Sequence, residues 1–580
     1  MHQTKRWILA PSSEAAEQLA MGLKTSSVIA QMLVNRGISD VEEGRRFLTP
    51  SLMHLHEPGE MAGVQRAAER IVQAIGAGER IVIYGDYDVD GITATSILWH
   101  AIKLLGGQVE YYIPHRLEEG YGMNMEAMGS ICDGGAKLIV SVDCGITALE
   151  EAKLARERGV DLIITDHHEP AATLPECYAV VHPRIGEGGG PGTYPNPYLC
   201  GAGAAFKLAW AVGQAQAGWG RVGEAYKRFL VEATGLAALG TIADVVPLVG
   251  ENRTLARFGL GGLKQSQLVG IKALIESAGL TGQKLDSYHV GFLLAPRLNA
   301  CGRMGHARQA VEMLTSADEA KAREIAAYLE LQNRSRQDME RRILDEAMGQ
   351  VEKLGLDKDD CRGIVLAGEG WHAGVIGIVA SRIVNRLNRP TVLVATNNGH
   401  GQGSGRSIPG FHLAKALQAC REYLEGCGGH EMAAGLRLET PKFESFRDAF
   451  YSYASNAISP EMLLPVLHLD CVAELRQVTA GLVADLQRLG PFGTGNRKPL
   501  LCCESLEIVC EPRRVGRNGD HLQMLVRQGG TTMKCIGFHL GDLFDRVKRG
   551  VRVDLAAEPM ISEFNGRQSV ELEVKDVRFV

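Results

Sequence analysis

Three aspartates follow a short apolar run. Ile81-Val-Ile-Tyr84 leads through Gly85 to Asp86, Asp88 and Asp90, at alternate positions before Gly91. A strand sends alternate side chains to one face, so carboxylates at this spacing just past a strand end can converge on one point. Like charges so close repel and shift one another's protonation, and a divalent cation is the usual relief. Two more apolar runs end in the same way: Lys137 to Val142 in Asp143-Cys144-Gly145, and Leu162 to Thr165 in Asp166-His167-His168. Asp244 follows the small-residue stretch Thr234 to Ala243. Carboxylates are almost never buried unpaired, and no excess of Arg or Lys lies near these. Asp86, Asp88, Asp90, Asp143, His167, His168 and Asp244 therefore read as one metal-binding constellation. Its mixed oxygen and imidazole donors favour Mn²⁺, with Mg²⁺ close behind and Zn²⁺ less suited. Turn-forming aspartates and a solvated histidine pair would account for any one of these residues, but not for the set. Two ions sharing a carboxylate is the simplest arrangement, and ions about 3.5 to 4 Å apart bind both the attacking water and the leaving oxygen of a phosphoryl group. The chemistry implied is phosphoester hydrolysis.

The elements that must position these residues alternate. Strands at Ile81 to Tyr84, Lys137 to Val142 and Leu162 to Thr165 are separated by helical stretches, one after Gly91 and one from Thr147 to Arg158. That alternation predicts an α/β fold with a parallel sheet, whose ligands sit beyond the carboxyl ends of the strands. The first fifty residues read as helical, a cap on the domain after them, and Gly186 to Pro197 reads as a loop. Ser316-Ala317-Asp318-Glu319 has the form of a capping box. A helix from there to Leu354 would span roughly 60 Å at ~1.5 Å per residue. Its polar middle, Gln332 to Gln337, suits a bridge between domains.

A second α/β unit comes next: strand Gly363 to Ala367, helix Ala373 to Arg386, strand Thr391 to Ala395. Behind it Gly403-Ser404-Gly405-Arg406 reads as a glycine-rich loop with free backbone N–H groups, where Arg406 can bind phosphate through two donors. After Pro465 the pattern changes to short β-rich runs with turns at Arg517-Asn518-Gly519, Gln528-Gly529-Gly530 and Asn565-Gly566. With a helix from Val478 to Leu489 these fit a small OB-type barrel. A face bearing Arg513, Arg514, Arg517, Arg527 and Lys534 with Phe538 and Phe564 can track single-stranded backbone and stack bases.

Composition bounds the reading. At 45% hydrophobic and 22% charged, the chain is that of an ordinary globular protein. A net charge of -6 offers no global attraction to phosphate, so nucleic acid must be recognised by local basic patches. The 13 cysteines form no Cys-x-x-Cys pair, which argues against a zinc ribbon or finger and suits free thiols in a reducing cytoplasm. No apolar run approaches the ~20 residues of a membrane span.

Asp-Tyr-Asp-Val-Asp-Gly at 86–91, Val-Asp-Cys-Gly at 142–145, Asp-His-His at 166–168 and Ala-Asp-Val-Val-Pro-Leu at 243–248 resemble the four motifs of the DHH phosphoesterase superfamily. Arg297 to Arg303, Gly403 to Ser407 and Gly428 to Gly435 narrow the resemblance to its RecJ family of single-strand-specific 5′ to 3′ DNA exonucleases. That resemblance covers the chain from about Val28 onwards. It implies an N-terminal helical cap (1–65), a DHH domain with a parallel sheet (66–315), a long linking helix (316–355), a second α/β DHH-associated domain (356–460) and a C-terminal OB-fold barrel (461–580). It implies that Asp88, Asp90, Asp143, His167 and Asp244 bind two divalent cations, Mn²⁺ or Mg²⁺, with Asp143 bridging. Asp86 is implied to be essential, as a ligand or by orienting a ligand or water. His168 is implied to face the scissile phosphate as hydrogen-bond donor or general acid. Ser404 and Arg406, with Arg116, are implied to hold a 5′ phosphate. Asn299 and Arg303 are expected on phosphate near the cations, joined by His372 and His430 from the second domain. One departure is His182-Pro183, where Asn-Pro is expected, which bears on a loop contact alone.

The reading is thus a cytoplasmic, monomeric nuclease that threads single-stranded DNA with a 5′ phosphate between two α/β domains. It releases 5′ mononucleotides and acts in recombination and repair, with a single-strand-binding protein and a helicase as candidate partners. One rival is a DHH enzyme for small nucleotides, which would need no barrel. The other is a catalytically silent scaffold, which would show eroded ligands.

Overall fold

The computed structural model describes residues 5–115, 119–303, 307–358, 360–564 and 566–580, without the side chains of Arg303 and Phe564. The chain divides into two compact units. One comprises Ser13–Asn333 with Gly481–Pro499, the other the residues up to Ser12 with Arg334–Ala480 and Leu500–Val580.

The first unit is built on five parallel strands, β1 (Arg80–Tyr84), β2 (Gln108–Tyr112), β3 (Leu138–Val142), β4 (Asp161–Thr165) and β5 (Ala179–Val181). Their order is β2-β1-β3-β4-β5. Strand order reverses between β1 and β3, and the crevice beyond the carboxyl ends at such a point is where parallel sheets take ligands. Both faces are covered, which is why the strands are apolar throughout. Ile81 and Ile83 pack with Ile92, Ile97 and Leu208, while Val82 and Tyr84 face Met128 and Ala152 on the other side. Helices α1 (Val89–Leu104), α2 (Gly201–Gln216) and α3 (Glu224–Ala243) are rich in small and apolar residues on most sides, and they are correspondingly buried.

The N-terminal helices Glu14–Leu23, Ser27–Val34 and Val41–Leu48 are capped by the side chains of Ser13, Ser26 and Asp40. The expectation that the first fifty residues are all helical needs a correction. Arg6–Leu9 is a strand, paired in parallel with Val466–Leu469 within the second unit. Its partner lies far along the chain, where local periodicity carries no signal. Likewise the helix expected within the barrel is present as Ala480–Arg488, but Gly481–Pro499 groups with the first unit.

The long helix α4 (Glu319–Leu354) is continuous over 36 residues. Its cap is Asp318, whose Oδ1 accepts from Lys321 N at 2.8 Å, rather than Ser316. Its polar middle is not simply solvated: Asn333 and Arg336 are buried, and Arg336 donates to buried Glu340 at 2.5 Å.

In the second unit a mixed sheet comprises β6 (Ile364–Glu369), β7 (Thr391–Asn397), β8 (His400–Arg406), β9 (Gly426–Gly429) and β10 (Ala433–Glu439), in the order β9-β10-β8-β7-β6. Helix α5 (Ala373–Leu387) packs on it. The glycine-rich stretch expected as a loop is therefore central strand β8, laddered on both edges by β7 and β10, so its N–H groups are not free for phosphate. The glycines serve packing instead. A Cβ on Gly403 would lie 2.6 Å from Leu436, and one on Gly405 2.9 Å from Leu413. Gln402, Ser404 and Arg406 take the other face.

The C-terminal strands β11 (Leu501–Ile508), β12 (His521–Gln528), β13 (Thr531–Gly537), β14 (Arg552–Phe564) and β15 (Arg567–Phe579) close a barrel in the order β11-β12-β13-β15-β14-β11. Only the β13–β15 pairing in that ring is parallel. This is the expected OB arrangement. Positive φ at Gly519, Gly529 and Gly566 marks the anticipated turns.

One buried charge in the first unit is a sharp test of its packing. Lys207 is fully enclosed, ion-paired with Glu251 and donating to His56 O at 2.6 Å, while Tyr194 Oη donates to the other Glu251 oxygen at 2.7 Å. Removing one partner strands the other charge in the interior, so Lys207→Met is expected to cost about 3 kcal/mol. A chemical-denaturation midpoint unchanged by the substitution would contradict this packing.

Candidate active site

The carboxylates are brought together by a strand, a turn and helix ends rather than by one strand's pleat. Asp88 is the N-cap of α1, and its Oδ1 accepts from Asp90 N at 2.8 Å and Gly91 N at 3.1 Å. Asp86 stands in the preceding turn and Asp90 in the first helical turn, so the even spacing belongs to a cap and not to an extended strand. Asp90 is held by a second helix end: Gly201 N and Ala202 N of α2 donate to its two oxygens at 2.5 and 2.8 Å. Helix α3 passes so close that a Cβ on Gly240 would collide with Asp90 Oδ1. Asp143, directly after β3, adopts a left-handed φ of 61°.

Two groups of possible ligands result, Asp86–Asp88–Asp143 and Asp90–His167–Asp244, with Asp143 also grouped with His167 and His168. His167 Nε2 lies 3.1 Å from Asp143 Oδ1 and 3.7 Å from both Asp90 Oδ2 and Asp244 Oδ2. Asp143 Oδ1 and His167 Nε2 are both buried, and neither makes a hydrogen bond. Facing polar atoms left unsatisfied in the interior are costly, and a cation seated between them satisfies both. The residues present therefore fit divalent metal.

Titration obeys the same logic. Burial, then the charges of neighbouring aspartates, raises the pKa of Asp143 far above the carboxylate range and that of Asp244 to about 8. Burial and Asp90 raise that of Asp88 too. Burial lowers that of His167, which keeps the imidazole neutral and able to ligate.

Asp166 was not among the expected site residues, although it opens the Asp-His-His motif. Its Oδ1 accepts from His167 N, His168 N and His168 Nδ1 at 2.7, 3.1 and 2.8 Å, and its Oδ2 from Ile146 N at 2.9 Å. Burial works against its charge, but these bonds outweigh it and hold the pKa down at about 2. With its oxygens so engaged, Asp166 orients both histidines. Burial lowers the pKa of His168 as well, but Asp166 overrides this and raises it. Tyr121 Oη stands 3.2 Å from His168 Nε2.

His182 is more than a loop contact. It is fully buried, its Nε2 donating to His168 O at 2.8 Å while its Nδ1 accepts from Arg184 N at 3.1 Å. Asn299 accepts from Val89 N at 3.2 Å and so braces the aspartate turn. Arg116 and the side chain of Arg303 lie outside the described residues.

In the second unit Ser404 and Arg406 share the face of β8 covered by α5. A Cβ on Gly377 would come within 2.8 Å of Ser404 Oγ and 3.1 Å of Arg406 Nη2. Arg406 donates to Ser404 Oγ at 3.2 Å and Gly405 O at 2.8 Å. Among the described residues no carboxylate pairs with this half-buried guanidinium, which suits an incoming anion. His372 is the N-cap of α5. His430 is exposed next to β10, donating from its backbone to Ala433 O at 2.8 Å, and Ala433 lies opposite Arg406. On the barrel, Arg527 pairs with Glu507 and Lys534 with Glu571, each at 3.0 Å, which blunts two of the expected basic positions. Phe538, Arg513, Arg514 and Arg517 are exposed. The side chain of Phe564 lies outside the described residues.

These shifts make cation binding pH-dependent. The Asp244 carboxyl, at about 8 in the folded metal-free protein against an ordinary 3.8, favours the folded state fully below about pH 4 and loses that contribution as pH rises through about 8. Cations bind the deprotonated form, so Mn²⁺ is expected to raise the melting temperature strongly near pH 8.5 and little near pH 5, by roughly the linkage of ligand to unfolding. A Mn²⁺-induced shift of equal size at both pH values would contradict the assignment.

Comparison with known proteins agrees with this geometry. Residues 80–241 match the DHH family N-terminal domain, 360–456 the DHHA1 domain and 469–576 the RecJ OB domain. The chain is 41% identical over 575 residues to the single-stranded-DNA-specific exonuclease RecJ of Bacillus subtilis, across 98% of this chain and 70% of that protein. It is 33% identical to the Escherichia coli protein of the same name, across 97% and 98% of the two chains. The crystal structure of Thermus thermophilus RecJ in complex with Mn²⁺ superposes with a TM-score of 0.83 at 31% identity, covering 99% of this chain and 79% of that one. A structure of exonuclease RecJ bound to manganese is 37% identical over 69% of this chain and 96% of its own, with a TM-score of 0.58. With three family models matched in order and identities of 33–41% along nearly the whole chain, the chain belongs to the RecJ family of DHH phosphoesterases.

Proposed function

We propose that the chain is a single-stranded-DNA-specific exonuclease that hydrolyses phosphodiester bonds from the 5′ end and releases 5′ mononucleotides. The observation that carries this reading is the buried, unsatisfied pair Asp143 Oδ1 and His167 Nε2 at the centre of the aspartate cluster. Mn²⁺ or Mg²⁺ held by Asp86, Asp88, Asp90, Asp143, His167 and Asp244 supplies Lewis acidity to the phosphoryl oxygens and lowers the pKa of water. The chain's own residues do the rest. Asp166 holds Nδ1 of His168, so the raised pKa of that ring leaves Nε2 to carry a proton toward the leaving 3′ oxygen. Asn299 and Arg303 contact the strand near the cations. Arg406, Ser404 and Arg116 hold the 5′ phosphate, with His372 and His430 alongside. A held 5′ end makes the enzyme an exonuclease.

We assign the functional divisions 1–65, 66–315, 316–355, 356–460 and 461–580 to cap, DHH domain, linking helix, DHH-associated domain and barrel, consistent with the spans of the three matching family models. Single-stranded DNA is the substrate, and the barrel guides it. The barrel argues against an enzyme for dinucleotides, which would not need it. In the cell such a monomer would work in the cytoplasm in recombination and repair, beside a single-strand-binding protein and a helicase. Among the described residues no helix is long and apolar enough to cross a membrane.

Hydrolysis of a 5′-phosphorylated single strand tests the reading. Asp143→Ala is expected to lower kcat by at least about 10³-fold, and Arg406→Ala to raise KM about tenfold for 5′-phosphorylated ends while leaving 5′-hydroxyl ends little changed. Undiminished activity of Asp143→Ala would refute the catalytic assignment. Equal losses of Arg406→Ala on both ends would refute the 5′-phosphate pocket.

A further inference from the structure

Asp244 differs from the other acids of the centre in how it is held. It is the C-terminal cap of α3, and the residue after it, Val245, has φ +62°. A β-branched residue in the left-handed region costs about 1–3 kcal/mol and persists only where the surroundings impose it. The restraints are on the next helix, Gly250–Leu263, which opens with three buried polar residues in succession, Glu251, Asn252 and Arg253.

Asn252 reaches back to the turn. Its Nδ2 donates to Pro247 O at 3.1 Å and to Tyr198 O at 2.5 Å, and its Oδ1 accepts from Asn196 Nδ2 at 2.9 Å. A second restraint comes from Gly481–Pro499, which joins this unit although the chain on both sides of it belongs to the other. Leu248 N donates to Thr494 O at 2.7 Å, and a Cβ on Gly495 would stand 3.1 Å from the Pro247 ring. Arg253 fastens the segment by donating to Arg488 O, Leu489 O and Gly490 O. Buried Asn496 closes its loop by donating to Leu489 O at 2.9 Å and Pro491 O at 2.8 Å. Turn, asparagine and inserted segment thus form one continuous hydrogen-bonded brace.

We propose that Asn252 and the segment Gly481–Pro499 are positioning elements for cation binding: together they hold the strained turn at Val245 and so fix the Asp244 carboxylate beside His167. The proposal rests on the reading of Asp244 as a cation ligand. It adds that a segment whose chain neighbours belong to the barrel-bearing unit sets the affinity of one cation.

Calorimetric titration of Mn²⁺ into the full chain tests it, with Asp244→Ala, Asn252→Ala and Gly495→Ala beside the parent. Residues that orient ligands typically change metal affinity by about 10- to 100-fold. Asn252→Ala is expected to weaken one of two Mn²⁺ sites by that factor and to leave the other within about twofold. Its kcat should recover at high Mn²⁺, with KM for DNA unchanged. Gly495→Ala, which retains the buried polar groups but puts a side chain at φ +72° and against Pro247, should shift the same site in the same direction by a smaller factor. If Asp244→Ala loses a site while Asn252→Ala and Gly495→Ala bind Mn²⁺ like the parent, with only a lowered melting temperature, the brace is structural and the proposal is overturned. If Asp244→Ala itself binds Mn²⁺ like the parent, the ligand reading falls and the proposal with it.

Discussion

The constraint on which the rest of the structure depends is electrostatic. Asp90, Asp143 and Asp244 crowd around one imidazole, His167, and Asp86 and Asp88 group with the same Asp143. Two like charges 4 Å apart repel by about 4 kcal/mol at an effective dielectric of 20, so several such pairs approach the whole stability of a domain. Backbone dipoles offset part of this. Asp90 sits on the N-terminus of α2, and Asp88 caps α1. Such helix ends contribute about 1–2 kcal/mol, too little for the set. Burial and the neighbouring carboxylates raise the pKa values of Asp88, Asp143 and Asp244, which favours protonation where no cation is bound. Divalent cations would offset the same repulsion by ligation.

Topology explains why these residues can meet at all. The order β2-β1-β3-β4-β5 opens a crevice between β1 and β3, and the chain spends the residues just past those strands, Asp86 and Asp143, on its rim. β4 delivers His167 and His168 through Asp166, whose Oδ1 holds the His168 ring and both histidine backbone N–H groups. Asp244 arrives from a helix end instead of a strand end. It depends on a strained turn and on polar residues buried well behind the site. The second unit obeys a different principle: glycines thin one face of β8 so that leucines can close over it, which leaves Ser404 and Arg406 on the face under α5.

Much of this was legible in the residues themselves. β-Branched runs ending in acids located β1, β3 and β4, because parallel strands buried on both faces must be apolar until they emerge. The long helix and the turns of the barrel were equally readable. What local pattern could not carry was long-range pairing. Arg6–Leu9 is a strand only because Val466–Leu469 lies beside it. Gly403 to Arg406 reads as a loop because glycine weakens strand propensity, yet two neighbouring strands impose the ladder. The inserted segment Gly481–Pro499 is invisible for the same reason. Asp166, Asn252 and Arg253 were missed because a polar residue that orients another looks in sequence like any solvated one. The adjacency of Asp166 to two histidines, and the run Glu251-Asn252-Arg253 shortly after Asp244, were the available signals.

Electron paramagnetic resonance of the Mn²⁺-loaded chain examines the shared-carboxylate arrangement most directly. The Mn²⁺-loaded parent should give a spin-coupled spectrum, and Asp143→Ala, which removes the carboxylate common to two groups of possible ligands, should lose the coupling. A parent spectrum of a single isolated ion, or of two uncoupled ones, would contradict the account.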